Sequence, residues 1–243
     1  YSLLDGAQKI DQLVNTIDDL NMDAVALTEH GNMFSVLPYY KQAKKAGIKP
    51  IIGCEIYVAV GSRFEKKTRS DGGWGNNHLI LLAQNFNGYK NLMKLVTAGY
   101  LEGFYYRPRI DMDLLREYSE GLICMSACLK GVVPEKMLKG DYEGARKEAL
   151  LFSEIFQDRY YLEIQNHGIP EEEQNLKNMK KLSQDLNLPL VCTNDAHYAK
   201  KEHWEAHDIH ICLGTGKERS DPNRLRYATP EFYFKTQDEM HKL

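Results

Sequence analysis

The residues with the clearest chemical potential lie near the end of the chain, where Asp195 and His197 follow the run Leu-Val-Cys-Thr at positions 190–193. A short apolar run directly after a proline predicts a buried strand. Residues two apart on an extended backbone point in the same direction, so this carboxylate and this imidazole would face a common point at the carboxyl end of the strand. Such a pair suits a divalent metal ion. For this stretch alone, a turn aspartate and a surface histidine explain the pattern equally well.

Other side chains that bind metals or move protons occupy equivalent positions elsewhere in the sequence. Besides the first pair, the residues that follow the carboxyl end of a predicted strand are His30, Cys128 and His167. Loops after parallel strands converge at one edge of an α/β sheet, and active sites are built there. Positions from four strands therefore predict one site. His78 differs, since it precedes its strand, and only a reversed or hairpin strand would bring it to that edge.

Each of these residues has an ordinary structural explanation when it is taken alone. Cys128 is either a small buried hydrophobe or, as a thiolate, a zinc ligand. His30 precedes Gly-Asn and would cap a turn, whereas Glu55 lies inside an apolar strand, where an unpaired charge is costly. A stripe of histidines at helical spacing lacks carboxylate-rich surroundings and predicts a polar helix face; its members are His203, His207 and His210.

Strands and helices must alternate along the chain to position these side chains. Apolar runs predict six strands, at residues 24–27, 50–58, 78–83, 122–126, 160–164 and 190–193. Apolar residues at helical spacing predict helices near residues 10–17, 33–46, 89–96, 145–156, 171–186 and 204–211. Residues 61–77 predict an exposed loop or hairpin, and residues 103–109 an aromatic and basic loop whose rings pack at the rim or suit a nucleotide. The alternation predicts an α/β fold with a mainly parallel sheet, closed into a barrel rather than open.

Composition narrows the class of protein. The chain has 243 residues, 43% of them hydrophobic and 27% charged, which fits an α/β barrel of roughly 250 residues. No run approaches the ~18 apolar residues of a membrane span, and five scattered cysteines favour a reducing cytoplasm over a disulfide framework. The net charge of −3 argues against a dedicated duplex-DNA binder, but not against a nuclease pocket in which metal ions supply the positive charge. The start without a methionine indicates a fragment, and an upstream seventh strand would fit it.

Seven short motifs, in order along the chain, resemble a known family. They are SLLDG (2–6), LTEHGN (27–32), GCEIY (53–57), NHL (77–79), GFYYRPR (103–109), SAC (126–128) and NDAHY (194–198). Together they are similar to the polymerase-and-histidinol-phosphatase (PHP) domain, and within it to the branch found at the N-terminus of bacterial replicative polymerases, the DNA polymerase III α subunits. The resemblance covers essentially the whole chain, so we expect residues 1–243 to form a single domain.

The family resemblance implies a fold and a set of metal ligands. The fold would be a distorted (β/α)7 barrel of the TIM-like PHP type, here missing its first strand and the His-x-His pair that the strand carries. Up to three divalent metals, zinc or manganese, would lie at one rim, with Glu55 as the bridging carboxylate. The implied ligands are Asp5, His30, Glu55, His78, Cys128, Asp195 and His197. Without the His-x-His pair, the metal cluster of this chain would be depleted.

The resemblance also implies a reaction, a metal-dependent phosphodiester hydrolysis acting as a 3′→5′ proofreading exonuclease on the primer end of DNA. The expected catalytic residues are Asp195, His197 and His167, and the expected phosphate-binding residues are Arg107, Arg109 and Lys130. Its partners would be the remainder of the polymerase α subunit and other replisome subunits. Two alternatives stay open. One is a catalytically silent module that binds polymerase subunits, and the other is a small-molecule phosphatase of the histidinol-phosphate type.

Overall fold

Strands and helices alternate along the computed structural model, which describes residues 4–68 and 75–243. The strands are β1 Ala24–Leu27, β2 Lys49–Ala59, β3 Asn76–Ala83, β4 Arg109–Ile110, β5 Leu122–Met125, β6 Tyr160–Ile164 and β7 Leu190–Cys192. The helices are α1 Ile10–Asp19, α2 Val36–Lys45, α3 Phe86–Leu101, α4 Met112–Tyr118, α5 Val132–Leu138, α6 Tyr142–Phe156, α7 Pro170–Leu186, α8 Trp204–Thr215 and α9 Gln237–Met240. The first two residues of the SLLDG motif and positions 69–74 of the predicted loop 61–77 lie outside the described residues.

The strands form one sheet in the order β1-β2-β3-β5-β6-β7, with the short β4 added beside β2. The pairs β1–β2, β5–β6 and β6–β7 are parallel, as the alternation of strands and helices predicts. Strand β3 runs antiparallel to both of its neighbours, β2 and β5. The sheet is therefore mixed in its centre, because β2 and β3 are consecutive strands that pair antiparallel. This reversal is the arrangement that His78 requires to reach the carboxyl edge of β2.

The sheet curls into part of a barrel, and β1 and β7 lie at the two ends of the strand order. A cavity of about 820 Å³ lies beside both of these end strands and reaches the side chains of Glu55 and Glu163 inside the curl. Among the described residues no hydrogen bonds close β7 onto β1. The predicted α/β fold is confirmed, and the described part of the chain is an incomplete barrel.

Two apolar clusters hold the helices against this sheet. In the larger cluster, α3 packs through Leu92 on β3, which contributes Leu79 and Leu81, and α6 packs through Phe152 on Tyr160 of β6, with ring centroids 5.6 Å apart. In the smaller cluster, α1 and α2 cover β1 through Leu13, Val14, Ile17, Val25, Tyr39, Ala43 and Ile48. Because both clusters lie between helices and strands, the loops at the strand ends are left to build a site.

A third cluster joins the end of the chain to the rim of the sheet. Tyr198, Phe232 and Tyr233 are buried together. The backbone N–H of His197 donates to the carbonyl of Phe232 at 2.8 Å, and Asn194 donates its side-chain N–H to the carbonyl of Glu231 at 3.1 Å. Residues 227–233 therefore lie along the loop that carries Asp195 and His197, and we call this segment the strap. No helix within the described residues is long and apolar enough to span a bilayer.

Candidate metal centre

Backbone pairing at the strand ends brings the predicted ligands together. His30 follows β1 and forms an isolated parallel bridge with Glu55, in which the backbone N–H of Glu55 donates to the carbonyl of Glu29 at 3.1 Å. His78 pairs across the sheet with Tyr57, and its own N–H donates to the carbonyl of Lys130 at 3.0 Å. These hydrogen bonds fix side chains from β1, β2, β3 and the loop after β5 at one rim.

Glu55 lies at the centre of the cluster. Its side chain is buried, and its Oε1 lies 2.6 Å from Nδ1 of His30 and 2.9 Å from Nδ1 of His78. Burial alone would raise the pKa of this carboxyl, but the charges of His78 and His30 and the hydrogen bonds from both rings hold the pKa well below its usual value. One ionised carboxylate oxygen thus lies between two imidazoles on opposite sides.

Asp5, His30 and His197 form the first group of side chains with metal-ligand chemistry, and their ligand atoms all lie within 4.8 Å of one another. Asp5 Oδ1 is 3.3 Å from Nε2 of His30. Burial opposes ionisation of Asp5, yet the hydrogen bond and charge of His30 and the charge of His197 lower its pKa to about 2. Burial also opposes a charge on His30, but the charge of Glu55 and hydrogen bonds to Asp5 and Glu55 raise its pKa to about 11. The one carboxylate of this group, Asp5, is therefore ionised and lies beside two imidazoles.

The second group consists of Glu55, His78 and Cys128, with ligand atoms again within 4.8 Å. The Cys128 Sγ lies 3.8 Å from Nδ1 of His78. Burial of the thiol raises its pKa well above the usual value, and the charges of Glu55 and Asp195 raise it further, whereas Lys130 lowers it. A thiolate at this position needs a positive charge beside it, because its surroundings are predominantly acidic.

The structure brings Asp195 to the same rim by a route that differs from the sequence argument. Strand β7 ends at Cys192, and Asp195 has a left-handed backbone with φ of +39°, so Asp195 and His197 do not share an extended segment. The explanation from alternate residues of a strand is therefore wrong. Asp195 belongs to neither close group, but its Oδ1 is 3.7 Å from Nδ1 of His197, and its carbonyl is 2.7 Å from the same nitrogen. The other nitrogen of His197, Nε2, lies 2.8 Å from the hydroxyl of Tyr227.

His167 is fully buried beneath the rim. Its Nδ1 lies 2.7 Å from Oε1 of Glu172 and its Nε2 lies 2.9 Å from the carbonyl of Asn194, while its ring stacks on Phe232 at 3.9 Å. Both ring nitrogens are thus engaged within the protein. This geometry gives no support to the expected role of His167 as an acid at the substrate. The residue instead holds the backbone directly before Asp195.

The three cations expected at phosphate have different environments. Arg109 is 1% exposed, and its guanidinium donates to the carbonyls of Gly103, Arg63 and Glu65 at 3.0 to 3.2 Å. This geometry gives no support to the expected phosphate contact of Arg109, since its donors hold the loop 103–109 against the loop after β2. Arg107 and Lys130 are exposed.

Arg107 and Lys130 both lie close to the second group. The guanidinium of Arg107 is 5.7 Å from the ring of Tyr57, and that ring is 5.3 Å from the ring of His78. Lys130 lies near enough to Cys128 for its charge to lower the pKa of the thiol. These two cations flank the rim, whereas the third is part of the protein interior.

Two residues of the centre were not recognised from the sequence. The hydroxyl of Tyr227, in the strap, lies 2.8 Å from Nε2 of His197 and 3.3 Å from Oδ2 of Asp5. His207 is buried and places its Nε2 2.6 Å from the carbonyl of Asp5, so the expectation of a polar helix face is wrong at this position. Helical spacing of the histidines was a signal for His207, but nothing in the local sequence distinguishes Tyr227.

Glu163 is a buried carboxyl that lies beneath the rim rather than in either group. It accepts a hydrogen bond from the N–H of Ala127 at 2.9 Å and others from Thr193 and from Gln165 at 3.2 Å. Burial raises its pKa to about 7, together with the charge of Asp195, although the hydrogen bonds oppose the shift. Ala127 has a left-handed backbone with φ of +65° directly before Cys128. Glu163 therefore ties the turn that aims Cys128 to the segment that precedes Asp195.

Relatives of known sequence are DNA polymerase III α subunits. The chain is 51% identical over 243 residues to the α subunit of Borreliella burgdorferi, which covers 100% of this chain and 21% of the relative. It is 47% identical to the α subunit of Treponema pallidum and 41% identical to that of Thermus aquaticus, again over 100% of this chain but 21% and 20% of the relatives. The chain thus spans about a fifth of the length of the curated relatives that it matches.

Solved structures with a similar fold are more distant. A protein of Bifidobacterium adolescentis described as a metal-dependent phosphoesterase aligns at a TM-score of 0.46 and 11% identity, over 100% of this chain and 92% of that one. An amidohydrolase of Chromobacterium violaceum aligns at a TM-score of 0.45 and 11% identity, over 86% of this chain and 94% of that one. The PHP-domain family model matches residues 1–167, which is more than half of the 243 residues. The chain belongs to the PHP domain family.

Proposed function

We propose that this PHP domain is a divalent-metal-dependent phosphoesterase that acts as a 3′→5′ exonuclease on the primer end of DNA. One observation carries the proposal. A single buried oxygen of Glu55 lies within 2.9 Å of nitrogens from both groups of ligand-type side chains, at the mouth of an incomplete barrel. A carboxylate shared between two adjacent sites is the arrangement by which proteins hold two metal ions a few ångströms apart.

The chemistry of the side chains fits divalent cations. The first group offers a carboxylate and two imidazoles, Asp5, His30 and His197, which suit zinc or manganese. The second offers a carboxylate, an imidazole and a thiol, Glu55, His78 and Cys128, and the thiol favours zinc there. Asp195 would complete the ligand set at the rim. A divalent ion at each group would neutralise a carboxylate, Asp5 or Glu55, whose charged neighbours are histidines.

Divalent ions bound at these groups would activate a water molecule and stabilise the charge that develops on the phosphodiester oxygens. The chain's own residues would complete the site. Arg107 and Lys130, exposed at the rim, would neutralise the phosphate of the incoming strand. The Tyr227 hydroxyl, beside Asp5 and His197, would orient these two side chains through its hydrogen bonds to them.

The larger setting is inferred from the relatives. As DNA polymerase III α subunits match the whole of this chain, we place the domain within such a subunit, with DNA, the remainder of the α subunit and other replisome subunits as its partners. Nucleotide addition itself would belong to other parts of that longer protein. Five free cysteines are consistent with a reducing cytoplasm as its location.

The test is a cleavage assay with the full-length protein. Metal content is measured first, and a primer with a mismatched 3′ end is then incubated with added Mn²⁺ or Zn²⁺. We expect metal-dependent shortening of the primer from its 3′ end, and loss of at least about a hundredfold in rate for Asp195→Asn. His203→Ala is a matched control for His197→Ala, because His203 is an exposed histidine near the end of the chain that does not belong to the rim. A wild-type protein that binds metal but does not shorten the primer would refute the exonuclease and leave the silent, subunit-binding module and the small-molecule phosphatase as alternatives.

A further inference from the structure

Three exposed aromatic side chains form a row on the outer surface beside the rim. Phe34 is 66% exposed, Tyr100 is 40% exposed and Phe104 is 49% exposed. The ring centroids of Phe34 and Tyr100 are 6.4 Å apart, and those of Tyr100 and Phe104 are 6.2 Å apart and nearly parallel at 23°. We call this row the aromatic ladder. Large rings in mutual contact that remain this exposed offer a surface of flat, apolar faces.

The ladder is continuous with the metal centre. Its first ring, Phe34, is tied to His30 through Asn32, which accepts from the N–H of Phe34 at 3.1 Å and donates to the carbonyl of His30 at 3.0 Å. Its last ring, Phe104, lies in the loop that carries Arg107. The glycine at position 31 lets the loop after His30 approach the loop 103–109 closely, since it has φ of +65° and a Cβ there would lie 2.8 Å from Pro108. A strand crossing the ladder would therefore arrive at the rim.

We propose that the aromatic ladder stacks the unpaired bases of a single DNA strand whose 3′ end enters the metal centre. Aromatic faces bind bases of any sequence, because every base presents a π-face. The exposed guanidinium of Arg107, beside Tyr57 and His78, supplies a cation for the backbone between the ladder and the rim. This inference rests on the proposed function and names the form in which the substrate reaches that site.

Charge and stacking together select the single-stranded form. The chain has a net charge of −3, so it lacks the general positive field with which proteins hold duplex DNA. Paired bases are covered by their neighbours and leave no free face for the ladder, whereas frayed or unpaired bases do. The ladder therefore favours a mismatched, frayed end over a matched one, and its apolar contribution changes little with salt.

Binding of a fluorescent oligothymidylate of about 12 nucleotides tests the ladder directly. The full-length protein is titrated in chelator, and affinity is read from anisotropy. Replacing Phe34 and Phe104 by leucine keeps an apolar surface but removes the flat rings, and we expect each replacement to weaken binding about tenfold. The matched control is Phe86→Leu, which changes an equally exposed ring at the opposite end of α3, about 21 Å from Tyr100.

Unchanged affinity in both ladder variants, with native circular dichroism, would overturn the proposal. If those variants instead lost co-purifying polymerase subunits, the ladder would be a protein-docking surface. A small diester, bis(p-nitrophenyl) phosphate, separates this inference from the proposed function. We expect the ratio of oligonucleotide cleavage to diester cleavage to fall with the affinity. A wild type that binds the oligonucleotide through the ladder but hydrolyses neither substrate would refute the exonuclease and leave the binding surface supported.

Discussion

Replacing Glu163 by glutamine should change how the stability of the metal-free protein depends on pH. The native carboxyl has a pKa of about 7, because it is buried beneath the rim near Asp195, whereas an unfolded glutamate has a pKa near 4.5. A group that holds its proton more tightly in the native state contributes most below its unfolded pKa. That contribution is lost as pH rises through the native pKa. The wild type should therefore lose stability between pH 5 and pH 8.

The magnitude follows from the size of the shift. Raising the pKa from 4.5 to about 7 lowers the free energy of unfolding by about 3.4 kcal/mol once the carboxyl is fully ionised in both states. About 2.5 kcal/mol of this loss falls between pH 5 and pH 8. Glutamine cannot ionise. Its amide N–H would, however, face the side-chain N–H of Gln165, which donates to Oε1 of Glu163 in the wild type, and the two opposed donors cost about 1 kcal/mol. The variant should thus equal the wild type near pH 5 and exceed it by about 2 kcal/mol at pH 8.

Urea denaturation in chelator at several pH values measures this difference directly. His30, with its pKa raised to about 11, also makes stability fall above pH 6.5, but it is present in both proteins, so its contribution cancels. Glu173→Gln is the control, since this side chain is exposed in the first turn of α7, and its difference from wild type should not change with pH. A difference for Glu163→Gln that stays constant from pH 5 to pH 8 would refute the argument.

Three further predictions concern the rim. Glu55→Gln should remove metal from both groups together, because one carboxylate oxygen contacts both. Metal content is measured by plasma mass spectrometry, and loss of metal from one group alone would contradict this. Tyr227→Phe should lower kcat about tenfold with little change in KM, because the hydroxyl that orients His197 is lost; an unchanged kcat excludes the role. Arg109→Ala should lower the free energy of unfolding in urea by about 2–3 kcal/mol, because three carbonyls lose their donor. Arg107→Ala should instead raise KM for DNA and leave the free energy of unfolding unchanged. The reverse pattern would restore Arg109 as the phosphate ligand.

Local patterns in the sequence were sufficient for the elements of the fold. Apolar runs and helical spacing located the strands and the main helices to within a few residues, because each element buries one face against the sheet. His78 even indicated the reversed β3, since no parallel strand would have brought it to the rim. The antiparallel pairing itself could not be predicted from the sequence, because periodicity contains no information on strand direction.

The site was less predictable where side chains depend on distant partners. Arg109 lies in a basic loop that suits phosphate, but its guanidinium is engaged by the carbonyl of Gly103 and by two carbonyls far along the chain, those of Arg63 and Glu65. His207 lies on a helix with a polar pattern, yet it is buried and its Nε2 contacts the carbonyl of Asp5. Tyr227 gave no local signal, because only folding brings the strap to the rim. The roles of the seven implied ligands, and the extent of the domain over residues 1–243, stay predictions.

The strap has a consequence for any attempt to dissect this protein. The family match ends at residue 167, but the loop with Asp195 and His197 is anchored by backbone and side-chain contacts to residues 227–233. A version shortened to the family match would lack that loop altogether, and one ending before residue 227 would retain the loop with its anchor removed. We therefore expect that a fragment must extend to residue 233 to keep Asp195 and His197 in place at the rim. Insertions or fusions between residues 198 and 227 would loosen the contact between the strap and this loop, and would affect the proposed reaction in that way.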